Sequence, residues 1–401
     1  MSAKKINLNV NLMLSFIVFS MLLNSMSVII LQLSQNQQHS YTGLGMLEFF
    51  KDIPIALVSI FMVDYIKKRS YYSSLSIALI ICTLCSFTIP FVSEFWFLKI
   101  WFILIGISFS IGKICVFSII KNISDNEKDF SKTMSRTEAA FMLGVFIVNI
   151  EFAIILNSDY KDYWKFGFWL VGIISSWAAF QFYRIDKQNV FEIDKSHGKE
   201  VIDFRILFDY KSILFFTIVV IIVFTEQIFN SWLPTFYKHT LKADSFFALQ
   251  SSALLALFSF IGRLLASKAV VKFSPMKIFF FCLISGIILT SSAYIIGQDT
   301  DVKVKILMFL FPMVGIFTAP LYPMLNSKYL SKFSERRVGK IVSIIILFTS
   351  LGGSIGSMST AYIFQKNLGN YYLLFATIPL ILILIFSTFF SIKEKISEYI
   401  K

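Results

Sequence analysis

Long apolar segments recur along this chain of 401 residues and constrain its fold more than any other feature. The hydrocarbon core of a bilayer is ~30 Å thick, so a helix needs ~20 mostly apolar residues to cross it. We count twelve such segments and number them spans 1 to 12 in chain order. Their approximate bounds are 10–33, 43–64, 71–91, 97–120, 137–157, 163–183, 212–236, 244–267, 276–297, 304–327, 340–364 and 370–391. In lipid, segments this long satisfy their backbone hydrogen bonds as helices, so the sequence predicts an all-α membrane protein with twelve transmembrane helices.

The composition excludes several other classes of protein. Only 15% of the residues are charged, whereas a soluble domain carries about 25%. This scarcity argues against an ordinary soluble enzyme and against a disordered chain. The net charge of +13 suggests an anionic partner, but the basic residues cluster in loops beside spans, as in proteins whose partner is the lipid bilayer and not nucleic acid.

The positions of the basic residues predict the orientation of the chain. If the N-terminus is cytoplasmic, 26 of the 37 Lys and Arg residues lie in cytoplasmic segments and eight lie in outer loops or at their edges. This asymmetry follows the positive-inside rule, and an even number of spans returns the C-terminus to the same side. Tryptophans predicted near the outer interface, as in an aromatic belt, are Trp96, Trp101, Trp164 and Trp232. We therefore expect a multi-pass inner-membrane protein with both termini in the cytoplasm.

The spacing of the spans indicates a duplicated unit. Six spans, one longer polar connector and six more spans form the pattern of a parallel internal repeat. The sequence predicts an N-terminal six-helix bundle at 1–183, a cytoplasmic connector at 184–211 and a C-terminal six-helix bundle at 212–401. Short basic loops follow the second span of each half, at 64–70 and at 262–275, about half a chain apart.

These loops and the second half resemble the major facilitator superfamily of transporters. The loop with Asp64 and the basic run 67–69 is similar to the signature between helices 2 and 3 of that family. The second half resembles the fucose/galactose/glucose–proton symporter branch in its sequences FSFIGR at 258–263, SWLPT at 231–235, GIFTAPLYP at 315–323 and GGSIG at 352–356. The resemblance implies the two-bundle fold and a solute site between the halves. Asp64 in this loop and Arg263 near the inner end of span 8 are candidates for roles at the gate or in the structure. Sugar symporters of the family carry an acidic residue in helix 1, where this chain offers Asn24.

Eight charged residues lie inside the predicted spans, where each costs at least ~2.5–3.5 kcal/mol at a helix centre unless it is paired or neutralised. Glu48, Lys51 and Asp52 share one face of span 2, and the spacing allows Lys51 to pair with Glu48. Asp52 then needs another partner, for which Lys113 of span 4 is a candidate. Glu138, at the start of span 5, is the alternative partner of Lys113. These charges either form a structural network or bind substrate.

Glu226 is the sharpest single candidate for proton coupling, with Asp52 and Glu138 as further candidates. It lies near the middle of span 7 with no basic residue within one turn, and Asn230 shares its helix face. Burial without a counter-charge favours the neutral form of a carboxyl group, which can then exchange a proton near neutral pH. The alternative is a permanently protonated acid that only joins two helices by a hydrogen bond.

Neutral polar side chains are further candidates for solute binding. Span 1 carries Ser20, Asn24 and Ser27 on one stripe, which either faces a cavity or bonds to another helix. Gln250, Tyr322 and Asn326 complete the candidate set. Gly352, Gly353, Gly356 and Ser357 form overlapping small-xxx-small pairs, which are typical of closely packed helices.

Taken together, these features predict a secondary active transporter that moves a small polar solute, with a sugar-like one favoured, by alternating access. We expect protons as the coupling ion, no cofactor, no metal site, no enzymatic activity and a monomer. An efflux antiporter for amphipathic compounds or metabolites stays open as an alternative, as does a non-transporting membrane receptor.

Overall fold

The protein is helical throughout the part of the chain that the structure describes. The computed structural model describes residues 3–35, 40–62, 65–66, 69–92, 94–123, 127–187, 209–270, 272–297, 309–330 and 335–399. In chain order the helices are Ala3–Asn24 and Met26–Gln35 (span 1), Tyr41–Gly45 and Leu47–Phe61 (span 2), Tyr71–Thr88 (span 3), Phe95–Ile123 (span 4), Glu127–Leu156 (span 5), Phe168–Lys187 (span 6), Tyr210–Thr235 (span 7), Ser245–Ala269 (span 8), Pro275–Gly297 (span 9), Val314–Thr318 and Leu321–Leu330 (span 10), Glu335–Gln365 (span 11) and Tyr372–Tyr399 (span 12).

Ten helical segments in these described ranges are long and apolar enough to cross a membrane. Spans 2 and 10 are not among them: both are broken within the described residues, and 304–308 of span 10 lie outside those residues. Span 2 is interrupted at Met46 and carries three charged residues in its first two turns. Span 10 is divided into short pieces near Pro312 and Pro320, which lack the backbone N–H that an α-helix needs. The architecture is that of the predicted all-α membrane protein and is consistent with twelve spans.

Local sequence explains how several helices begin and end. Ser40 accepts a hydrogen bond from the backbone N–H of Gly43 at 3.1 Å and so caps the start of span 2. Ser70 caps span 3 in the same way through Tyr72. Asn367, with φ of 59°, adopts the left-handed conformation that ends span 11 and turns the chain into span 12.

The two predicted bundles touch mainly along three pairs of spans in the described structure. Span 2 packs against span 11, span 5 packs against span 8, and the second helix of span 1 packs against span 7. Spans 2 and 8 occupy equivalent places in the two repeats, as do spans 5 and 11. The first two contacts are therefore related by the pseudo-symmetry. Of the predicted connector, residues 184–187 complete the helix of span 6, while 188–208 lie outside the described residues.

The apolar core joins the two halves mainly at one face of the membrane. We call the face at which span 1 begins the N-terminal face and the other the opposite face. One buried cluster runs from the first half into the ends of spans 7, 11 and 12 at the opposite face, and it includes Trp232, Phe364 and Tyr372. The buried residues of the second half that lie nearer the N-terminal face form a separate cluster. This packing describes a conformation closed at the opposite face.

Two of the predicted belt tryptophans instead lie in this core. Trp232 is fully buried, stacks on Phe364 with ring centroids 5.5 Å apart, and donates to Ser357 Oγ at 2.9 Å. Trp101 is also buried and donates to the carbonyl of Cys85. The belt prediction was wrong for both, because depth along a helix does not tell which side of it faces lipid.

Glycines bring the helices of the second half close together. A Cβ atom on Gly356 would lie 2.6 Å from the carbonyl oxygen of Phe224, so the position has no room for a side chain. Gly352 abuts the backbone of Val220 in the same way. Both glycines therefore face span 7, as expected for a packing motif.

Candidate functional site

The charged residues of span 2 form a buried cluster, which we call the span 2 cluster: Glu48, Lys51 and Asp52. Their side chains are almost wholly shielded from solvent, with Glu48 at 0% exposure. Lys51 Nζ forms an ion pair with Glu48, one turn earlier on the helix, and lies 3.8 Å from Asp52 Oδ1. The pairing of Lys51 with Glu48 is the one that the spacing indicates.

The remaining partners of the span 2 cluster come from the other half of the molecule. Gln227 Nε2 and Ser231 Oγ of span 7 donate to Glu48 Oε1 at 2.6 and 2.7 Å. Ser354 Oγ of span 11 donates to Asp52 Oδ2 at 3.0 Å. Asp52 thus finds its partner in span 11, and the suggested pair with Lys113 does not form. Hydrogen bonds to buried charged groups are strong, so these three bonds tie the halves together near the opposite face.

Glu226 lies beside a small cavity between the two halves, which we call the Glu226 cavity. Its volume is about 30 Å³, enough for about two water molecules. The polar lining residues are Glu226, Asn230, Ser259, Arg263 and Thr318, from spans 7, 8 and 10, and Met142 of span 5 adds an apolar side chain. Glu226 Oε1 is buried and has no hydrogen-bond partner within the described structure. Glu226 and Asn230 share the helix face that the sequence predicts.

An ion pair connects span 5 with span 8 on the N-terminal side of this cavity. Arg263 Nη1 lies 3.2 Å from Glu138 Oε2, and Arg263 Nε donates to the carbonyl of Ala319 at 3.3 Å. Arg263 thus bridges the halves through Glu138 while it also lines the cavity. The gate or structural role expected of Arg263 stays a prediction.

Lys113 of span 4 has no carboxylate within 4 Å among the side chains that the structure describes. Its ammonium group lies over the rings of Phe109 and Phe117, 5.6 and 5.7 Å from their centroids. It still interacts electrostatically with Glu138, Glu226 and Arg263. The four charged groups therefore share one electrostatic site that spans both halves.

Two adjacent faces of span 7 serve the two polar sites. Glu226 and Asn230 line the cavity, whereas Gln227 and Ser231, one residue further along each time, bond to Glu48. The sequence did not indicate Gln227, Ser231 or Ser354 as residues of a polar site. The repeated four-residue spacing of 227 and 231 was the available signal, but it does not reveal which face of a helix meets the other half.

The other predicted residues lie at varied distances from these sites. Asn24 ends the first helix of span 1 and donates to the carbonyl of Ser20, and Ser27 reaches Asn149 of span 5 at 3.4 Å. This stripe thus bonds mainly within its own helix and to one neighbour. Tyr322 lies near Asn326 and interacts electrostatically with Glu138 and Glu226.

Two further candidates stand apart. Gln250 is half-buried in the first turns of span 8, away from the residues that line the Glu226 cavity. Asp64 lies outside the described residues.

The two polar sites, the span 2 cluster and the Glu226 cavity, offer carboxyl groups that can hold a proton. Both halves of the molecule line the cavity.

Comparison with known structures supports the fold. A D-xylose–proton symporter matches with a TM-score of 0.76 and 16% identity, covering 94% of this chain and 96% of its own. A bacterial homologue of the human lysosomal transporter Spinster matches in an inward-facing, unoccupied conformation with a TM-score of 0.71 and 14% identity, covering 98% of each chain. The inward-facing, occupied form of that homologue gives 0.69, also at 14% identity, covering 98% of this chain and 97% of its own.

Among curated proteins, none matches the sequence. The family model of the Major Facilitator Superfamily, in contrast, matches residues 8–357, which is most of the chain. Together with the fold, this match shows that the chain belongs to the Major Facilitator Superfamily.

Proposed function

We propose that the protein is a secondary active transporter that couples the movement of a small polar solute to that of protons. Its two halves, 1–183 and 212–401, rock about a site near the membrane midplane and expose it to each side in turn. The family supports the transporter class, since its members move small molecules and are generally not enzymes. The protein then works as a monomer in the inner membrane, with both termini in the cytoplasm and the solute, protons and lipid as its partners.

The observation that carries the proposal is the buried carboxyl group of Glu226 at the edge of a cavity between the halves. One of its oxygens has no hydrogen-bond partner in the described structure, although the residue lies at mid-span. An intramembrane acid in this setting is a functional site by default, because an idle one costs stability. Asp52 and Glu138 are secondary candidates, since each already has a partner.

The side chains that line the Glu226 cavity indicate the class of the solute. Asn230, Ser259 and Thr318 offer neutral hydrogen-bonding groups, which suit a hydroxylated solute. The similarity in fold to a D-xylose–proton symporter is consistent with a sugar-like molecule. We therefore favour a sugar-like solute over an amphipathic one.

The test is solute uptake into proteoliposomes with an imposed pH gradient. Wild-type protein should accumulate solute against its concentration gradient, and Glu226→Gln should abolish this accumulation while solute counterflow persists. The glutamine keeps the shape and polarity of the side chain but cannot release a proton. We expect at least a tenfold fall in the accumulation ratio.

Glu151→Gln is the matched control. Glu151 is another span carboxyl group with a buried oxygen that lacks a partner in the described structure, and it lies outside the Glu226 cavity. Its replacement should leave accumulation unchanged. Accumulation that survives Glu226→Gln would refute the coupling role, and solute export driven by inward proton flow would favour the efflux alternative.

A further inference from the structure

The Glu226 cavity contains hydrogen-bond donors that can bind an anionic group. A guanidinium group has five N–H donors, and two contacts of Arg263, to Glu138 and Ala319, use only part of that capacity. Asn230 adds an amide and Ser259 a hydroxyl group. Glu226 is the one carboxyl group among the lining residues that the structure describes. The remaining N–H groups of Arg263 suit an anionic group.

The charges around the cavity balance only when Glu226 is ionised. Arg263 and Glu138 neutralise each other through their ion pair at 3.2 Å. Lys113 and Glu226 remain, one positive and one negative, and they interact electrostatically without forming a pair within 4 Å. The four groups therefore carry no net charge as long as Glu226 keeps its negative charge.

Proton uptake by Glu226 disturbs this balance. The site then holds the positive charges of Lys113 and Arg263 against the single negative charge of Glu138, which leaves one positive charge in excess. A buried charge without compensation is strongly unfavourable. One anion in the cavity restores neutrality, because it takes the place of the charge that Glu226 has lost.

We propose that the solute carries one negative charge, as a carboxylate does, and that its anionic group binds in the Glu226 cavity together with the proton on Glu226. Proton and anion then cross the membrane as a pair that carries no net charge. Lys113 supplies the positive field that holds the anion, and Arg263 supplies the nearest donors. This inference rests on the proposed function, because it takes Glu226 as the proton site.

The experiment compares charged and neutral solutes in proteoliposomes whose outside is acidic. The charged probes are D-gluconate, D-glucuronate and L-lactate, and the neutral probes are D-glucose, D-xylose and glycerol. We expect one of the anions to accumulate, and its accumulation to be unchanged when a potassium diffusion potential is imposed with valinomycin. The neutral probes should stay at equilibrium.

Variants of two lysines on span 4 test the role of Lys113. Lys113→Gln should raise the KM for the transported anion at least tenfold, and Lys113→Arg should restore most of the affinity. Lys99→Gln is the matched control, because Lys99 also lies over two phenylalanine rings, those of Phe50 and Phe95, but is not one of the charged groups that interact with Glu226. It should leave the KM unchanged.

The outcomes separate this inference from the proposed function. If a neutral solute accumulates and responds to the membrane potential, the solute is not an anion, and proton-coupled transport stands. An unchanged KM in Lys113→Gln, with protein correctly inserted, would overturn the role of Lys113. If no probe accumulates under any gradient, both proposals fall.

Discussion

Consecutive residues of span 7 belong to two different polar sites, the Glu226 cavity and the span 2 cluster, which lie next to each other. Glu226 faces the cavity, and the next residue, Gln227, bonds to Glu48 across the interface between the halves. A helix turns by about 100° per residue, so neighbours along the chain point to different surroundings. A small rotation of span 7 would therefore change both sites at once, which is a direct physical route for coupling.

One added methyl group at Gly262 should destabilise the folded protein. A Cβ atom there would lie 2.8 Å from the Cα atom of Ile316 in span 10, and backbone cannot move aside as a side chain can. We expect Gly262→Ala to destabilise the protein by about 1–3 kcal/mol, the range for overpacked cores. A lower midpoint of thermal unfolding in detergent would confirm it.

Gly286→Ala provides the comparison for this prediction. A Cβ atom at Gly286 would meet Phe317 Cβ at 3.7 Å, which is ordinary van der Waals contact. This variant should unfold within about a degree of wild type. Equal thermal midpoints for the two alanine variants would contradict the close approach of spans 8 and 10.

At the scale of helices, the contact of span 2 with spans 7 and 11 depends on two serines. Ser231→Ala with Ser354→Ala removes two hydrogen bonds to buried carboxylates, each worth about 1.5–3 kcal/mol, but leaves Lys51 paired with Glu48. We expect the population open at the opposite face to rise about tenfold or more. Spin labels at Tyr160 and Leu368, both exposed at that face, should show a new longer distance.

The control for the double variant is Ser357→Ala. Ser357 accepts from Trp232 within the second half, so its loss leaves the contact between the halves intact. The four native cysteines are buried and should not compete for the label. A double variant whose distance distribution matches that of Ser357→Ala would show that the two serines do not hold the halves closed.

Some features of the helices follow from the sequence alone, whereas the contacts between distant residues do not. Length and apolarity place the spans, because a bilayer requires about 20 apolar residues per crossing. The break in span 10 follows from Pro312 and Pro320. The pairing of Glu48 with Lys51 is local and follows from their spacing. The bonds from Ser231 and Ser354 join residues more than 180 positions away along the chain, so no local pattern contains them.

At the scale of the whole molecule, symmetry-related contacts tie the two halves together at different depths. The contact of span 2 with spans 7 and 11 lies toward the opposite face, and the ion pair between Glu138 and Arg263 lies toward the N-terminal face. The Glu226 cavity lies between them. In the proposed transport cycle, one set of contacts opens while the other closes, and a proton on Glu226 alters the charge between them.

At this scale the family and the fold class follow from the sequence. The conformation, which is closed at the opposite face, does not. Repeated spans and the motif at 258–263 lead to the Major Facilitator Superfamily, which the family match and the structural neighbours show. The closure at the opposite face involves the packing of Tyr41 in span 2 against Trp232 and Phe364 of the second half. The sequence suggested that Trp232 lies at the membrane interface instead. Burial inside a membrane protein depends on neighbouring helices, which hydropathy does not report.

The most direct test of the central claim is the pH of a lightly buffered proteoliposome suspension at the moment when a transported solute is added. If proton and solute move together through Glu226, the outside medium becomes alkaline as solute enters. That change disappears in Glu226→Gln and persists in Glu151→Gln. Solute uptake with no change in external pH in the wild-type protein would contradict proton coupling, and an equal pH change in Glu226→Gln would assign the proton to another group.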